Sequence, residues 1–397
     1  MLPLFRILLL LGLSLPRAVG FAQEDPPRDA QQQRGHLENA RYTFEHDKRG
    51  TVAFLGGSIT EMNGYRPKVC QYLQQRFPDT QFTFINAGIS STCSATGAFR
   101  LQRDVLSKQP DLLFVEFAVN DDQDAVHPPR ECVRGMEGIL RQALLQRPML
   151  DIVMTHFVNP SMLETLQQGG SPVSSAQHER VAAHYTVSTN DVGRELASRI
   201  TAGDFTWQLY GGTHPKEPGN RLAADGVIEL LEAAWAEPRK ANASLQPHAL
   251  PQPLDVNSYF RGRFLPVDSA TTETDWVIER PDWKDLPGQS RATFDKLSLL
   301  CSTTAGAELS LRFSGTAAGA FVLAGPDAGM VEVTIDDLPP QEIDLFHRYS
   351  KGLHYPRTVM FATDLPPGEH QLRLKISSRH HEDSLGHAVR IMEFVAN

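Results

Sequence analysis

In the first half of the chain, short apolar runs alternate with longer segments of helical periodicity. Four such runs are TVAFLG (51–56), FTFINAG (82–88), DLLFVEFAVN (111–120) and DIVMTHFV (151–158). They are nearly continuous in apolar residues, as strands covered on both faces are. The segments between them, such as YRPKVCQYLQQRF and PRECVRGMEGILRQALLQRP, gather their apolar residues on one helical stripe. The alternation predicts right-handed βαβ units around a parallel sheet, and therefore an α/β fold.

Beyond about residue 258 the pattern changes. Runs such as AELSLRFSG, MVEVTIDD and HQLRLKIS alternate apolar and polar positions with a period of two, and turns rich in Gly, Pro and Asp separate them. This pattern predicts an antiparallel β-sandwich or jelly roll. Residues 237–257 are rich in Pro and Ala and lack periodicity, which is typical of a linker. We therefore expect an α/β domain over 49–236 and a β-sandwich domain over 258–397.

The N-terminus has the layout of a secretory signal peptide. Arg6 precedes an apolar run over 7–15, which is too short to span a bilayer, and small residues follow at 18, 20 and 22. The interpretation is a signal peptide over 1–22 and a secreted or periplasmic protein, with an uncleaved anchor as the alternative. Residues 23–48 form a polar N-terminal segment, of which 24–35 (EDPPRDAQQQRG) are expected to be disordered. After signal cleavage, no remaining stretch is expected to span a membrane.

Charge and cysteine content narrow the classes of partner. The net charge is −9 and there is no basic cluster, so nucleic acid is not an expected partner. The cysteines, Cys70, Cys93, Cys132 and Cys301, have no C-x-x-C spacing, and free buried thiols and disulfides both remain open. No spacing indicates a metal site or a cofactor, and none is expected. Nothing in the pattern specifies an oligomeric state.

Four chemically distinctive residues follow predicted strands or precede a predicted helix. Ser58 lies in GGSIT, Gly88 in NAGIS, Asn120 in FAVND and His214 in GGTHP. The carboxyl ends of parallel strands meet at one edge of a sheet, so these groups are expected to form one site. A serine hydroxyl attacks a carbonyl carbon when a base such as histidine takes its proton, and amide groups stabilise the resulting oxyanion. The set predicts acyl transfer.

In their order and sequence blocks these residues resemble the SGNH (GDSL-like) hydrolases, over about residues 50–236. The resemblance implies a flavodoxin-like αβα sandwich, with Ser58 as the nucleophile and His214 as the base. It also implies an oxyanion hole formed by the backbone amides of Ser58 and Gly88 and the side chain of Asn120. An exported domain of this type joined to a β-sandwich resembles carbohydrate esterases, which implies an ester substrate, an O-acetyl group on a carbohydrate.

Two positions depart from the family pattern. Members commonly have Asp directly before the serine, where this chain has Gly57, and an acid three residues before the histidine, where it has Gly211. Loss of an orienting acid can cost about 10⁴ in kcat. Asp204 in AGDFTW is the nearest upstream carboxylate that could orient His214. A backbone carbonyl could instead hold the imidazole and leave a Ser-His dyad, or the protein is a slow or inactive esterase.

Two other classes of function remain open at this point. One is a non-catalytic carbohydrate-binding protein on a degenerate scaffold. The other is a glycosidase that uses Asp121 and Asp122 as acid and base. The same two carboxylates could instead order the oxyanion loop, bind a sugar hydroxyl or lie in a solvated loop. Glu61 either faces the substrate or caps a helix.

Overall fold

The computed structural model describes residues 29–35, 37–239, 243–273 and 275–397. The predicted signal peptide lies outside the described residues. In the described part of the chain, no helix combines the length and the apolar character needed to cross a bilayer. The four cysteines are all described, and each is a buried free thiol, so none of them forms a disulfide.

A six-stranded sheet forms the centre of the first domain. Its order is β1-β6-β5-β4-β2-β3, and every neighbouring pair is parallel except β1 with β6. The strands are β1 (Gln31–Gln32), β2 (Arg49–Gly56), β3 (Gln81–Gly88), β4 (Leu112–Glu116), β5 (Asp151–His156) and β6 (Ser188–Asp191). The parallel sheet predicted from the apolar runs is confirmed.

Three details of the sheet differ from the sequence expectations. Strand β4 ends at Glu116, before the predicted end at 120, because the buried residues 117–119 leave the sheet for a helical turn. Strand β6 is an additional strand that the apolar runs did not predict. The expectation of disorder over 24–35 is wrong for β1, whose backbone pairs with β6 although its side chains are polar. Main-chain hydrogen bonds carry no signature in the apolar pattern.

Helices cover both faces of this sheet, as in an αβα sandwich. One face is covered by α1 (Glu38–His46), α3 (Tyr65–Arg76), α6 (Pro160–Gln167), α8 (Val192–Ala202) and α10 (Glu217–Ala234). The other face is covered by α4 (Ser94–Asp104), α5 (Pro129–Gln146) and α7 (Val173–His184). Two short helices, α2 (Ser58–Glu61) and α9 (Trp207–Tyr210), lie in the loops before α3 and α10. Each face buries its own apolar core.

Two antiparallel sheets form the second domain. One has the order β15-β12-β17-β10-β9 with β7 paired to β17, and the other has the order β14-β13-β16-β11-β8. The first comprises β7 (Arg263–Leu265), β9 (Val277–Glu279), β10 (Leu299–Ser302), β12 (Ala318–Ala324), β15 (Tyr355–Ala362) and β17 (Val389–Ala396). The second comprises β8 (Thr271–Thr272), β11 (Glu308–Gly315), β13 (Gly329–Ile335), β14 (Gln341–Asp344) and β16 (Gly368–His380). The inward-facing residues of both sheets share one apolar core. The predicted fold class is confirmed for both parts.

The two domains share a buried interface on the α4 and α5 side. Ala317 and Val395 of the second domain join the apolar core of these helices. Arg134 of α5 is 2% exposed; its Nε donates to Asp255 Oδ2 at 2.9 Å, and it forms an ion pair with Asp364 of the second domain. A buried charge is retained where it has such partners. Apolar packing and ion pairs therefore both attach the second domain to the first.

Candidate active site

Ser58 and His214 meet at the carboxyl edge of the parallel sheet. Ser58 is the first residue of α2, directly after β2, and His214 lies in the loop between α9 and α10. Their side chains are in hydrogen-bond contact, with 2.7 Å between Ser58 Oγ and His214 Nε2. This is the distance needed for a base to take the hydroxyl proton. The fold thus joins two residues that are 156 positions apart in the sequence.

A buried carboxyl group lies under the turn that carries Ser58. Glu116, at the end of β4, accepts hydrogen bonds on Oε1 from the backbone N–H of Gly57 at 2.9 Å and of Thr60 at 3.2 Å, and from Thr60 Oγ1 at 2.8 Å. Its Oε2 has no hydrogen-bond partner among the described residues. Burial raises the pKa of Glu116 to about 7, against the opposing effect of these hydrogen bonds. Sequence reasoning missed this residue, although an acid ending an otherwise apolar strand was a signal.

A buried arginine connects the ends of the two strands that lead into the site. Arg100 of α4 donates from Nη2 to Gly56 O at 2.9 Å and from Nη1 to Ala87 O at 2.7 Å. The side chain is fully buried and also pairs with Asp104 one turn later. It therefore fixes the end of β2, which leads into Ser58, relative to the end of β3, where Gly88 lies.

Asn120 begins a single π-helical turn after β4, which we call the Asn120 turn (Asn120–Asp124). Turns of this kind occur often at functional sites. Asn120 is 3% exposed, and its Nδ2 donates to Asp124 Oδ2 at 2.6 Å. Its Oδ1 lies against Gly57, where an added Cβ would be 2.1 Å away. The family's usual Asp would not fit at position 57 without moving the Asn120 amide, which explains the glycine.

The Gly88 amide is already engaged in this structure. Its N–H donates to Asn86 Oδ1 at 3.0 Å, and Asn86 Nδ2 donates to Glu61 O at 3.0 Å. Gly88 lies directly against α2, the short helix that begins at Ser58: an added Cβ on Gly88 would be 2.3 Å from Glu61 N. The predicted oxyanion role of Gly88 requires this N–H to exchange Asn86 for the oxyanion, and it stays a prediction.

The structure does not bring the candidate acid Asp204 to His214. Asp204 is exposed in the turn after α8, and neither it nor any other described residue forms a hydrogen bond with His214 Nδ1. Gly211 has φ +108°, and an added Cβ would lie 2.4 Å from the backbone N of Lys216. An acid at position 211 is therefore incompatible with this loop. Within the described residues, the geometry is that of a Ser-His pair with no carboxylate hydrogen-bonded to the imidazole.

Asp121 and Asp122 do not form a catalytic pair. Asp121 is fully buried and accepts hydrogen bonds from Ser94 N at 2.8 Å, Ser94 Oγ at 2.6 Å and His178 Nε2 at 2.9 Å. Asp122 accepts from Asn159 Nδ2 at 2.8 Å. A general acid or base must reach the substrate, so the glycosidase hypothesis loses Asp121 and with it the proposed pair. For Asp121, the solvated-loop and sugar-binding interpretations are wrong, since its side chain ties the Asn120 turn to the start of α4.

Among the described residues, Asp121 is also shared by two trios of potential metal ligands. These are Cys93, Asp121, His127 and Asp121, Cys132, His178, and all of them are buried except His127, which is half-buried. Burial alone would raise the pKa of Asp121. The charges and hydrogen bonds of His127 and His178 have the larger effect, and the pKa lies below its usual value. Hydrogen bonds from Ser94 and His178 already occupy its oxygens. The cluster is thus accounted for as a buried ion-pair network.

The cleft around Ser58 is built by both domains. The first domain contributes Ser58, Glu61, Met62, Ser90 and His214, and the loop between β9 and β10 contributes Arg291, Ala292 and Thr293. Arg291 donates from Nη1 to Ser90 O and from Nη2 to Ser91 Oγ, both at 2.8 Å. Glu61 Oε2 accepts from Ser90 N at 2.8 Å and also from Ser90 Oγ, so it lies in the cleft wall. The sequence offered no signal for the second-domain residues.

Comparisons with known proteins identify relatives of the first domain. Residues 54–222 match the model of the GDSL-like Lipase/Acylhydrolase family. An acetylxylan esterase from Geobacillus stearothermophilus is 22% identical over 216 residues, which are 47% of this chain and 96% of that protein.

Among solved structures, a two-domain esterase active on acetylated mannans, crystallised with mannopentaose, is similar over both domains. The TM-score is 0.74 at 20% identity, over 92% of this chain and 96% of that one. A second structure of a two-domain esterase active on acetylated mannans has the same TM-score at 21% identity. This likeness shows the two-domain fold. The α/β domain thus matches the GDSL-like lipase/acylhydrolase family over residues 54–222, and the chain is a carboxylic ester hydrolase.

Proposed function

We propose that this protein is an exported serine esterase that removes acetyl groups from a polysaccharide through an acyl-enzyme on Ser58. The observation that carries the proposal is the 2.7 Å contact between Ser58 Oγ and His214 Nε2, in a cleft that both domains line. In the first step, His214 Nε2 takes the Ser58 proton as Oγ bonds to the acetyl carbonyl carbon. The sugar oxygen then leaves with that proton, and acetyl-Ser58 remains.

The second step returns the enzyme to its starting state. Water attacks the acetyl-serine carbonyl while His214 takes its proton, and acetate leaves as Ser58 Oγ recovers a proton. In both steps the negative oxygen is assigned to the Ser58 N–H, the Gly88 N–H and the second N–H of Asn120 Nδ2. The Ser58 N–H suits this role because it belongs to the first turn of α2, where no intrahelical acceptor is available. One such donor contributes roughly 3–4 kcal/mol of transition-state stabilisation.

A carbohydrate substrate is supported by the relatives and by the polarity of the cleft. Relatives of this chain act on acetylated xylan and acetylated mannan. The cleft has a volume of about 610 Å³ and carries the polar groups of Glu61, Ser90, Arg291 and Thr293. Sites for small ligands commonly occupy about 300–1,000 Å³ and fix orientation with a few polar groups. The competing proposal is a protein that binds acetylated polysaccharide without cleaving it, because no acid of the described residues hydrogen-bonds His214.

A fluorophosphonate probe, together with acetate release from acetylated xylan and acetylated mannan, separates these two proposals. The esterase should be labelled by the probe and release acetate, and Ser58→Ala should abolish both activities. Retained affinity for the polysaccharides without labelling or acetate release would replace the esterase by a binding protein. Acetate release that survives Ser58→Ala would contradict the acyl-enzyme on Ser58.

Export is a separate part of the proposal and depends on residues 1–22 alone. A signal peptide cleaved near residues 20–22 predicts a mature protein that starts close to that point. Expression of the full chain in a bacterial host, with N-terminal sequencing of the fraction outside the cytoplasm, tests it. A full-length protein confined to the cytoplasm would remove export from the proposal and leave the chemistry untouched.

A further inference from the structure

The side chain of Asn120 is oriented by another member of its own turn. One N–H of its Nδ2 is used by Asp124 Oδ2, at 2.6 Å, which leaves the other N–H pointing in a defined direction. Hydrogen bonds to a carboxylate are about twice as strong as those between neutral groups. Asp124 is 8% exposed, so little water competes for this bond. The direction of the free N–H therefore depends on where Asp124 is held.

The backbone that carries Asp124 is irregular. The Asn120 turn closes with a bond from Ala125 N to Asn120 O, at 2.9 Å, and Val126 follows with φ +49°. A positive φ is rare for a β-branched residue and strains the backbone. Val126 is also 68% exposed, so burial of its side chain contributes little to holding this conformation. The conformation must be stabilised by contacts of the neighbouring residues.

The second domain supplies contacts at the end of this turn. His347, in the segment between β14 and β15, donates from Nε2 to Asp124 O at 2.9 Å, and Arg348 donates to Gln123 O. The His347 ring stacks on Tyr355, with 4.3 Å between ring centroids and 12° between planes. Tyr355 Oη in turn donates to Ser91 O at 3.4 Å. Burial lowers the pKa of His347 to about 4, so the ring is neutral at pH 7 and its Nε2–H serves this bond.

We propose that the second domain is a brace for the oxyanion hole, in which His347 positions Asp124 and Asp124 positions the Asn120 amide. His347 and Asp124 are positioning residues, since neither is assigned a contact with the reacting atoms. The inference rests on the proposed esterase function and adds a role for the second domain that does not involve binding the polysaccharide. It implies that the chemistry of even a very small ester depends on the second domain.

p-Nitrophenyl acetate tests this role, because catalysis of so small an ester depends little on any polysaccharide contact of the second domain. For His347→Ala we expect kcat to fall about tenfold with KM nearly unchanged, less than the 10²–10³ lost when an oxyanion donor is removed outright. Asp124→Ala should cost more than His347→Ala, because it removes the partner of the Asn120 amide itself. His347→Gln should recover most of the loss, since the Gln side-chain N–H can donate to Asp124 O.

The matched control is His370→Ala, which removes a histidine of the same domain that bonds to Asp336 and Pro366 O. Its kcat should equal that of the wild-type protein. Equal kcat values for His347→Ala and wild type, in folded protein, would overturn the brace. So would a loss that appears only on polysaccharide, because that pattern belongs to a substrate contact.

Hydrogen–deuterium exchange tests the brace without requiring activity. The amides of residues 120–127 should exchange faster in His347→Ala than in wild type, and no faster in His370→Ala. Unchanged exchange over 120–127 would contradict the brace even if the enzyme is active. Faster exchange in a protein that releases no acetate would retain the brace and refute the esterase, so the two failures are distinguishable.

Discussion

At the scale of single residues, His214 is the point where this site departs most from a three-residue catalytic set. Its Nε2 contacts Ser58, while no described residue hydrogen-bonds its Nδ1. The loop at Gly211 has a left-handed backbone, and it leaves no room for a side chain there. The acid is therefore missing because of the loop conformation as well as because residue 211 is a glycine. Placing an acid at position 211 should not restore a triad.

Gly211→Asp tests this statement directly. Its Cβ would lie 2.4 Å from Lys216 N at φ +108°, so we expect a lower Tm and no gain in kcat on p-nitrophenyl acetate. The backbone conformation alone costs a non-glycine residue about 1–2 kcal/mol. Gly212→Asp is the matched control, because Gly212 has φ +106° but no atom within 4 Å of an added Cβ. A rise in kcat for Gly211→Asp above wild type would show that the loop can accept the acid.

Glu116 should make stability depend on pH in a recognisable window. Its pKa is raised from 4.5 to about 7, so between these values the native protein keeps a proton that the unfolded chain has released. The contribution of the protonated Glu116 side chain to the free energy of unfolding is therefore fully present below about pH 4.5, and it is lost as the pH rises through 7. At about 1.4 kcal/mol per pKa unit, the loss is up to about 3 kcal/mol.

The variant Glu116→Gln isolates this effect, because Gln keeps an oxygen acceptor for Gly57 and Thr60 but does not titrate. Urea unfolding at pH 5 and pH 8 should show that the stability of wild type relative to the variant decreases at the higher pH. Identical pH dependence in the two proteins would mean that Glu116 does not titrate in this window.

At the scale of elements, helix α4 determines how the ends of β2 and β3 are placed. Arg100 reaches from this helix to Gly56 O and Ala87 O, and it is fully buried. We expect Arg100→Met to lower the free energy of unfolding by about 3 kcal/mol, because two buried carbonyl groups and Asp104 lose a charged partner. Urea unfolding measures the loss. Arg103→Met on the same helix is the control; Arg103 is half exposed, and we expect about 1 kcal/mol or less. Equal losses in the two variants would contradict the role assigned to Arg100.

The elements also show how far the sequence could predict this site. Apolar runs located β2 to β5 because strands covered on both faces must be apolar throughout. Ser58, Asn120 and His214 were identified because each lies at the end of a strand or before a helix, where parallel strands gather their loops. The identity of residue 211 warned of a missing acid, but not of the backbone geometry that excludes one.

Other parts of the site depend on packing that a linear pattern does not contain. Arg291 and His347 belong to loops of a different domain, and only the docking of that domain brings them to Ser90 and Asp124. The π-helical Asn120 turn consists of five polar residues, so it has no apolar periodicity from which its form could be predicted. Candidate acids such as Asp204 were chosen by distance along the chain, which says little about distance in space.

At the scale of the whole molecule, the second domain is attached at two places with different consequences. Near the cleft, Arg291 and His347 contact the loops after β3 and β4. On the α5 side, Arg130 and Arg134 both bond to Asp255, which lies between the domains, and to Asp364 of the second domain. If the second domain braces the oxyanion hole, its attachment at the α5 side must be rigid enough to keep His347 in place.

Arg134 and Arg130 provide a matched pair for testing this attachment. They share both acidic partners, but the Arg134 side chain is 2% exposed and the Arg130 side chain is 59% exposed. Removing one member of a buried ion pair costs about 3–5 kcal/mol, whereas an exposed pair contributes about 0–1 kcal/mol. Arg134→Met should therefore lower the calorimetric Tm strongly and divide a single unfolding transition into two, while Arg130→Met keeps one transition near the wild-type Tm.

The same pair connects domain attachment to catalysis. If rigid attachment positions His347, Arg134→Met should also reduce kcat on p-nitrophenyl acetate at a temperature where both domains remain folded, although Arg134 lines no part of the cleft. Arg130→Met should leave that kcat unchanged. Two calorimetric transitions with an unchanged kcat would mean that the contacts of His347 with Asp124 and of Arg291 with Ser90 keep the second domain in place. The ion pairs at α5 would then not be needed for catalysis.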